Sequence, residues 1–344
     1  MTDIHIRITG RAGRITLNRP KALNALTYDM CLAMEQALLA WRDDPAVDMV
    51  VIDATGDRAF CAGGDIADLY ASGLRGDYAY GQTFWADEYR LNALIATYPK
   101  PYVAFMQGFT MGGGVGVSCH GSHRIVGETS QIAMPECGIG LVPDVGGSLL
   151  LSRAPAGVGA YLGLTATRMG PADAIFAGFA DMYIPQSLWP DLIETLEQTG
   201  STDALVTHDV GPSDLERQAA KLAQLFVHST LPNLVDHLDQ HPSELAQSAL
   251  KSIRRNSPLA MAATLHILAN LPKTATIFDA LRTEYRYTAR AIQYGDFIEG
   301  IRAAVIDKDR SPKWHHTIDT VDPKTLALMT SPLGDRDLFI GERT

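Results

Sequence analysis

Residues 100–118 read KPYVAFMQGFTMGGGVGVS, and this stretch decides the architecture. Tyr102 to Met106 is a short continuous apolar run bounded by Pro101 and Gly108, the pattern of a strand buried on both faces. A glycine-rich stretch from Gly108 to Gly116 follows, and a helix is expected after it. The same order occurs upstream. Met49 to Ala54 is a second buried strand, and an apolar strand-like run leads into the loop Cys61-Ala62-Gly63-Gly64-Asp65-Ile66. Strand, glycine loop and helix in repetition point to an α/β fold.

Working outward, Ile4 to Thr9 and Arg14 to Asn18 alternate like strands and are separated by Gly10 and Gly13, which predicts a hairpin. Thr27 reads as the N-cap of a helix over Tyr28 to Trp41 that ends before Asp43-Asp44-Pro45. A long helical pattern covers Tyr80 to Ala96 and stops at Pro99. Two more short apolar runs, Arg124 to Val126 and Gln131 to Ala133, lead into a loop from Pro135 to Gly147, and Ala180 to Ile184 is the last strand expected. After about Ser187 the chain reads as successive helices marked by Pro212, Pro232, Pro242, Pro258 and Pro272. Trp314 and the polar residues to Val321 suggest a docked tail, with a frayed end beyond it. The implied division is a core over 1–186 and a helical region over 187–344.

At 344 residues and 46% apolar content the chain can bury a large core. The formal net charge of -10 and scattered basic residues argue against nucleic acid as a partner. The most apolar region, Pro101 to Cys119, is broken by five glycines and Gln107, so no membrane span is expected. Asp3 stands where a secretory leader needs basic residues, and Cys31, Cys61, Cys119 and Cys137 lack CxxC spacing, which suits reduced thiols in the cytoplasm. Cys119, His120 and His123 would make a poor metal site, because adjacent ligands on a helix diverge and no fourth has suitable spacing.

Several catalytic signatures are missing. There is no Gly-Lys of a P-loop and no G-x-S-x-G nucleophile elbow, and Val117 occupies the third-glycine place of a dinucleotide fingerprint. What remains is the pair of glycine loops and a later loop, MPECGIGLVPDVGG, over Met134 to Gly147. Glycine admits close backbone approach, and amides at a helix start carry partial positive charge. Two such loops suit an oxyanion hole or, equally, tight turns that bring helices close. In the later loop Glu136 and Asp144 lie eight residues apart among apolar residues and glycines. Burial there would raise their pKa values, whereas an exposed loop would make them caps or surface charges.

Taken together, LNRPKALNAL (Leu17 to Leu26), AFCAGGDI, KPYVAFMQGFTMGGGVGVS, MPECGIGLVPDVGG and FIEGIRAAVIDKDRSPKW (Phe297 to Trp314) closely resemble the enoyl-CoA hydratase/isomerase, or crotonase, superfamily. Within it they resemble the 3-hydroxyisobutyryl-CoA hydrolases, over nearly the whole chain. The resemblance implies a spiral of ββα units with a helical C-terminal region, and an acyl-CoA substrate whose thioester oxygen is held by the amides of Gly64 and Gly113. Hydratases of the superfamily carry two glutamates. Here Gly116 takes the place of the first, Glu136 keeps the second, and Asp144 stands where the hydratases have glycine.

That pattern implies hydrolysis of a 3-hydroxyacyl-CoA, with 3-hydroxyisobutyryl-CoA of valine catabolism as the best match and 3-hydroxypropionyl-CoA as a competitor. Glu136 would be nucleophile or general base. Asp144 would hold the substrate hydroxyl or assist proton transfer, and Glu88 would be a further polar contact, although by spacing alone it is equally a solvated helix-face residue. CoA would be part of the substrate, with no cofactor or metal required. The superfamily often forms trimers, so a homo-oligomer is in keeping. Hydratase or isomerase activity through Glu136 alone, and a non-catalytic CoA-binding protein, are the alternatives.

Overall fold

The computed structural model describes residues 2–338; the last residues, where fraying is expected, lie outside the described residues. The described chain forms two compact units, one from residues 2–65, 90–133 and 168–216, the other from 66–89, 134–167 and 217–338.

All the strands belong to the first unit. β1 (Ile4–Thr9) and β2 (Ala12–Leu17) form the hairpin, with Ile6 opposite Ile15. β3 (Met49–Ala54) adds parallel to β2, followed in the same sheet by β5 (Tyr102–Met106), β7 (His123–Val126) and β9 (Met182–Tyr183). β4 (Ala59–Cys61), β6 (Phe109–Met111) and β8 (Gln131–Ala133) make a second, three-stranded parallel sheet. From β3 onward, successive strands thus go alternately to the large and the small sheet, which is the ββα spiral expected of the fold. β5 is buried along its whole length, as a parallel strand covered on both faces should be.

β2 begins at Ala12 rather than Arg14, because Gly13 is part of the strand and faces Ile8. A Cβ on Gly13 would lie 2.4 Å from the Trp41 ring, so this glycine marks a close approach instead of a turn. Trp41 belongs to α1 (Tyr28–Arg42), which Thr27 caps by accepting the Met30 amide at 3.2 Å. The last strand is shorter than the apolar run Ala180 to Ile184, with only Met182 and Tyr183 paired to β7. Ile184 turns into the core with Val51, Phe105, Trp189 and Leu196, and the Trp189 ring meets Phe105 edge-on at 5.3 Å. The helix Trp189–Thr199 therefore packs with the strands, although it lies beyond residue 186. After β9 no strand follows among the described residues.

The second unit is helical. It contains α2 (Ala67–Leu74), residues 78–89 of α3 (Tyr78–Ala96) and most of the later helices. Residues 66–89 and 134–167 thus group with the C-terminal helices, so the units interleave along the chain, and the cut expected at 186/187 marks only where the strands end among the described residues. Pro232 and Pro258 sit in the first turns of Leu231–Gln240 and Pro258–Asn270, where a missing N–H costs nothing. The tail docks as expected. Trp314 Nε1 donates to the Arg255 carbonyl at 3.0 Å, and the His315 amide donates to Asp296, whose carboxylate is fully buried.

Candidate active site

In the first unit, the glycine loops follow neighbouring strands of the small sheet. Both leave their strands at the same end, and a Cβ on Gly63 would lie 3.5 Å from the Met111 carbonyl. The LNRPKALNAL segment holds the first loop in place. Leu26 N donates to the Gly63 carbonyl at 2.9 Å and receives the Asp65 amide on its own carbonyl at 2.7 Å. Ala62 N also donates to Leu23, while the buried Asn24 side chain ties Thr55 and Ala59. In this parallel bridge between Leu26 and Gly64, the residue flanked by the two bonds has its own N–H turned away from Leu26.

The second loop enters α4 (Gly113–Gly116) through Gly112, at φ 50 and ψ -119, a region that only glycine occupies without strain. Gly113 opens the helical turn, so its N–H has no acceptor within the helix. A Cβ on Gly114 would meet the Cys61 carbonyl at 2.4 Å, which is why the turn can lie so close to β4. Gly64 and Gly113 thus lie in loops that leave adjacent strands at the same end.

In the second unit the acidic residues converge. Glu88 on α3, Glu136 at the start of the 3-10 turn Glu136–Ile139, and Asp144 in the following loop are each at least 96% buried. Burial pushes the Glu136 carboxyl well above its ordinary range, and the charges of Asp144, Glu284 and Glu88 push it further. Burial also raises Glu88 and Asp144, with Asp144's charge adding to the effect on Glu88. Glu88 is therefore no solvated helix-face residue. Asp144 accepts a hydrogen bond from the Tyr89 hydroxyl at 2.7 Å, whereas among the described residues Glu136 Oε2 has no hydrogen-bond partner. A buried carboxylate oxygen left unpaired is costly and is kept where chemistry uses it.

Two residues of this cluster escaped the sequence reading in their present roles. Tyr89 is buried together with Phe84 and Trp85, and the Trp85 ring meets Phe297 at 5.6 Å with a tilt of 52°. Glu284 was not singled out at all. The signal was available, since Glu284 lies on the stripe Ile277, Leu281, Glu284, Thr288 and Ala291 of the helix Ile277–Tyr294, where every other member is buried without charge. Cys119 is a core thiol beside Ser118 and Met106, raised to about 11 by burial.

The family model described as enoyl-CoA hydratase/isomerase matches residues 12–329. The mitochondrial 3-hydroxyisobutyryl-CoA hydrolase of Rattus norvegicus is 38% identical over 98% of this chain and 90% of its own length. The protein of the same name from Danio rerio is 37% identical, over 98% and 91%. Among solved structures, one named enoyl-CoA hydratase from Rhodobacter sphaeroides is 56% identical, with a TM-score of 0.95 over 98% of this chain and 99% of its own. Another, named carnitinyl-CoA dehydratase from Mycobacterium thermoresistibile, is 39% identical, with a TM-score of 0.93 over 99% of each.

Proposed function

Because the chain belongs to the enoyl-CoA hydratase/isomerase family, we propose that this acyl-CoA enzyme hydrolyses a 3-hydroxyacyl-CoA thioester, with 3-hydroxyisobutyryl-CoA as the preferred substrate. The observation that carries the reading is the buried Glu136 carboxylate with an unengaged oxygen, accompanied by a second buried acid at Asp144. The thioester carbonyl oxygen takes the amides of Gly64 and Gly113. Glu136 attacks the carbonyl carbon, the π electrons move to the oxygen, and collapse breaks the C–S bond to release CoA as thiolate. The mixed anhydride is then opened by water, which restores the carboxylate and frees the acid. Glu136 acting as general base to water gives the same products.

Asp144, held on one side by Tyr89, receives the substrate's 3-hydroxyl on its other oxygen, and Glu88 adds a polar contact. Gly116 leaves the hydratase's other acid/base position empty. Four buried cysteines without CxxC spacing suit a reducing compartment, which we take to be the cytoplasm, whereas the vertebrate relatives are named mitochondrial.

A second reading, hydration or dehydration of an enoyl or hydroxyacyl chain through Glu136 alone, rests on the names of the two solved structures. Glu136→Gln separates the residue's role from mere shape. The amide should leave acyl-CoA affinity within about threefold while thiol release falls by at least about 100-fold, because it is neither nucleophile nor base. Comparable turnover by this variant would remove Glu136 from the reaction.

A further inference from the structure

We infer that the helix Ile277–Tyr294 is the template for the reacting loop, and that its Glu284 is a positioning residue acting through Asp144. The inference rests on the role proposed above for Asp144. Glu284 is fully buried and uses both oxygens: one takes the Gly146 amide at 2.8 Å, the other the Ser148 amide at 3.0 Å and the Ser148 hydroxyl. One turn along, Thr288 stands 3.3 Å from the Tyr89 hydroxyl that donates to Asp144. Tyr287, on the same helix, donates to the Gly140 carbonyl at 3.2 Å. A single helix thus pins the loop before, at and after Asp144.

The pinned segment is strained. Val145 has φ 52 and Gly146 φ 81, and the turn is closed by the Gly147 amide on the Asp144 carbonyl at 2.6 Å. A β-branched residue in the left-handed region is a genuine outlier, held only where its surroundings over-determine it. Glu284 supplies the acceptors that fix both amides flanking Gly147, so their loss would let residues 145–146 relax and carry the Asp144 carboxylate with them. An ordinary helix cap would not require this conformation. α5 (Gly147–Arg153) has no side chain of its own at the cap, Gly146 being the N-cap residue.

The test is a double-mutant cycle with Glu284→Gln, Asp144→Asn and the pair. Glutamine keeps one acceptor oxygen but sets an NH2 group against an amide donor. We expect Glu284→Gln to lower kcat about 10- to 100-fold with KM within about threefold, and the pair to be no slower than Asp144→Asn alone within about threefold. Losses that multiply in the pair, a loss confined to KM, or undiminished turnover would overturn the inference.

Wild type is assayed first for thiol release and for enoyl-CoA hydration, and the cycle is run on the reaction it performs, so that failure of the hydrolase reading is seen separately. If wild type performs neither, the proposed function falls. Amide exchange then decides: Glu284→Gln must speed exchange at Gly146 and Ser148 at least about tenfold while sparing Pro258–Asn270. Unchanged exchange overturns the inference. Should Glu284→Gln fail to fold, Ser148→Ala, which loses only the hydroxyl bond, enters the same cycle with a smaller expected loss and the same criterion.

Discussion

Asp144 has a strong side-chain donor, Tyr89, on one oxygen. If the other oxygen holds the 3-hydroxyl, Asp144→Gly should damage turnover of a 3-hydroxyacyl-CoA selectively, relative to the same ester without the hydroxyl. A hydrogen bond to a charged group is worth about 1.5–3 kcal/mol, so the selective loss in kcat/KM should be roughly 10- to 150-fold. The turn itself should survive, since its closing bond uses the Asp144 backbone carbonyl. Paired kcat/KM measurements check this, and equal losses on both esters would assign Asp144 to the chemistry or the fold. The burial of Glu136 and Asp144 was one of two readings open in the sequence, favoured because a carboxylate in an apolar, glycine-rich stretch has no obvious solvating role, and it is the one the structure has. The burial of Glu284 was signalled by its helix stripe, but the roles of Tyr89 and Glu284 were not legible, because they depend on partners 55 and 136 or more residues away in the chain.

The glycine loops show what a local pattern reveals about an element and what it leaves out. Their place after apolar strands was legible, as were α1, β3 and β5 almost to the residue, but the helix expected after Gly116 is only the turn Gly113–Gly116 inside the glycine stretch, which then leads to β7. One boundary moved for a tertiary reason, since Gly13 stays in β2 because Trp41 lies against it, whereas β9 is paired in register only at Met182 and Tyr183, with the Ile184 amide still donating to the Val126 carbonyl at 3.0 Å. The latch between LNRPKALNAL and the first loop was also out of reach. Each segment alone reads as a turn, and only the register of Leu26 with Gly64 shows that one holds the other.

At the scale of the whole molecule, the buried acids of the second unit make stability depend on pH in an unusual direction. Glu88, Glu136, Asp144 and Glu284 all lie above the ordinary carboxyl range, Glu284 at about 8 against the three donors that favour its ionised form. A folded state that binds protons more tightly than the unfolded chain loses stability as pH rises between the two pKa values. Carboxyls pulled the other way, such as Asp279 and Glu299, change stability only below their unfolded pKa, and half-buried His123, held below its usual value, opposes the trend weakly. Thermal unfolding followed by calorimetry should therefore give a Tm that falls by several degrees from pH 5.5 to pH 8, less steeply in Glu284→Gln. A Tm that is flat or rises over that interval would contradict the account. The central claim, that this member of the family cleaves a thioester, is tested most directly by incubating wild type with 3-hydroxyisobutyryl-CoA and following free thiol and enoyl absorbance together. The account predicts one thiol released per substrate consumed with no enoyl conjugate formed; enoyl-CoA interconversion without thiol release would contradict it.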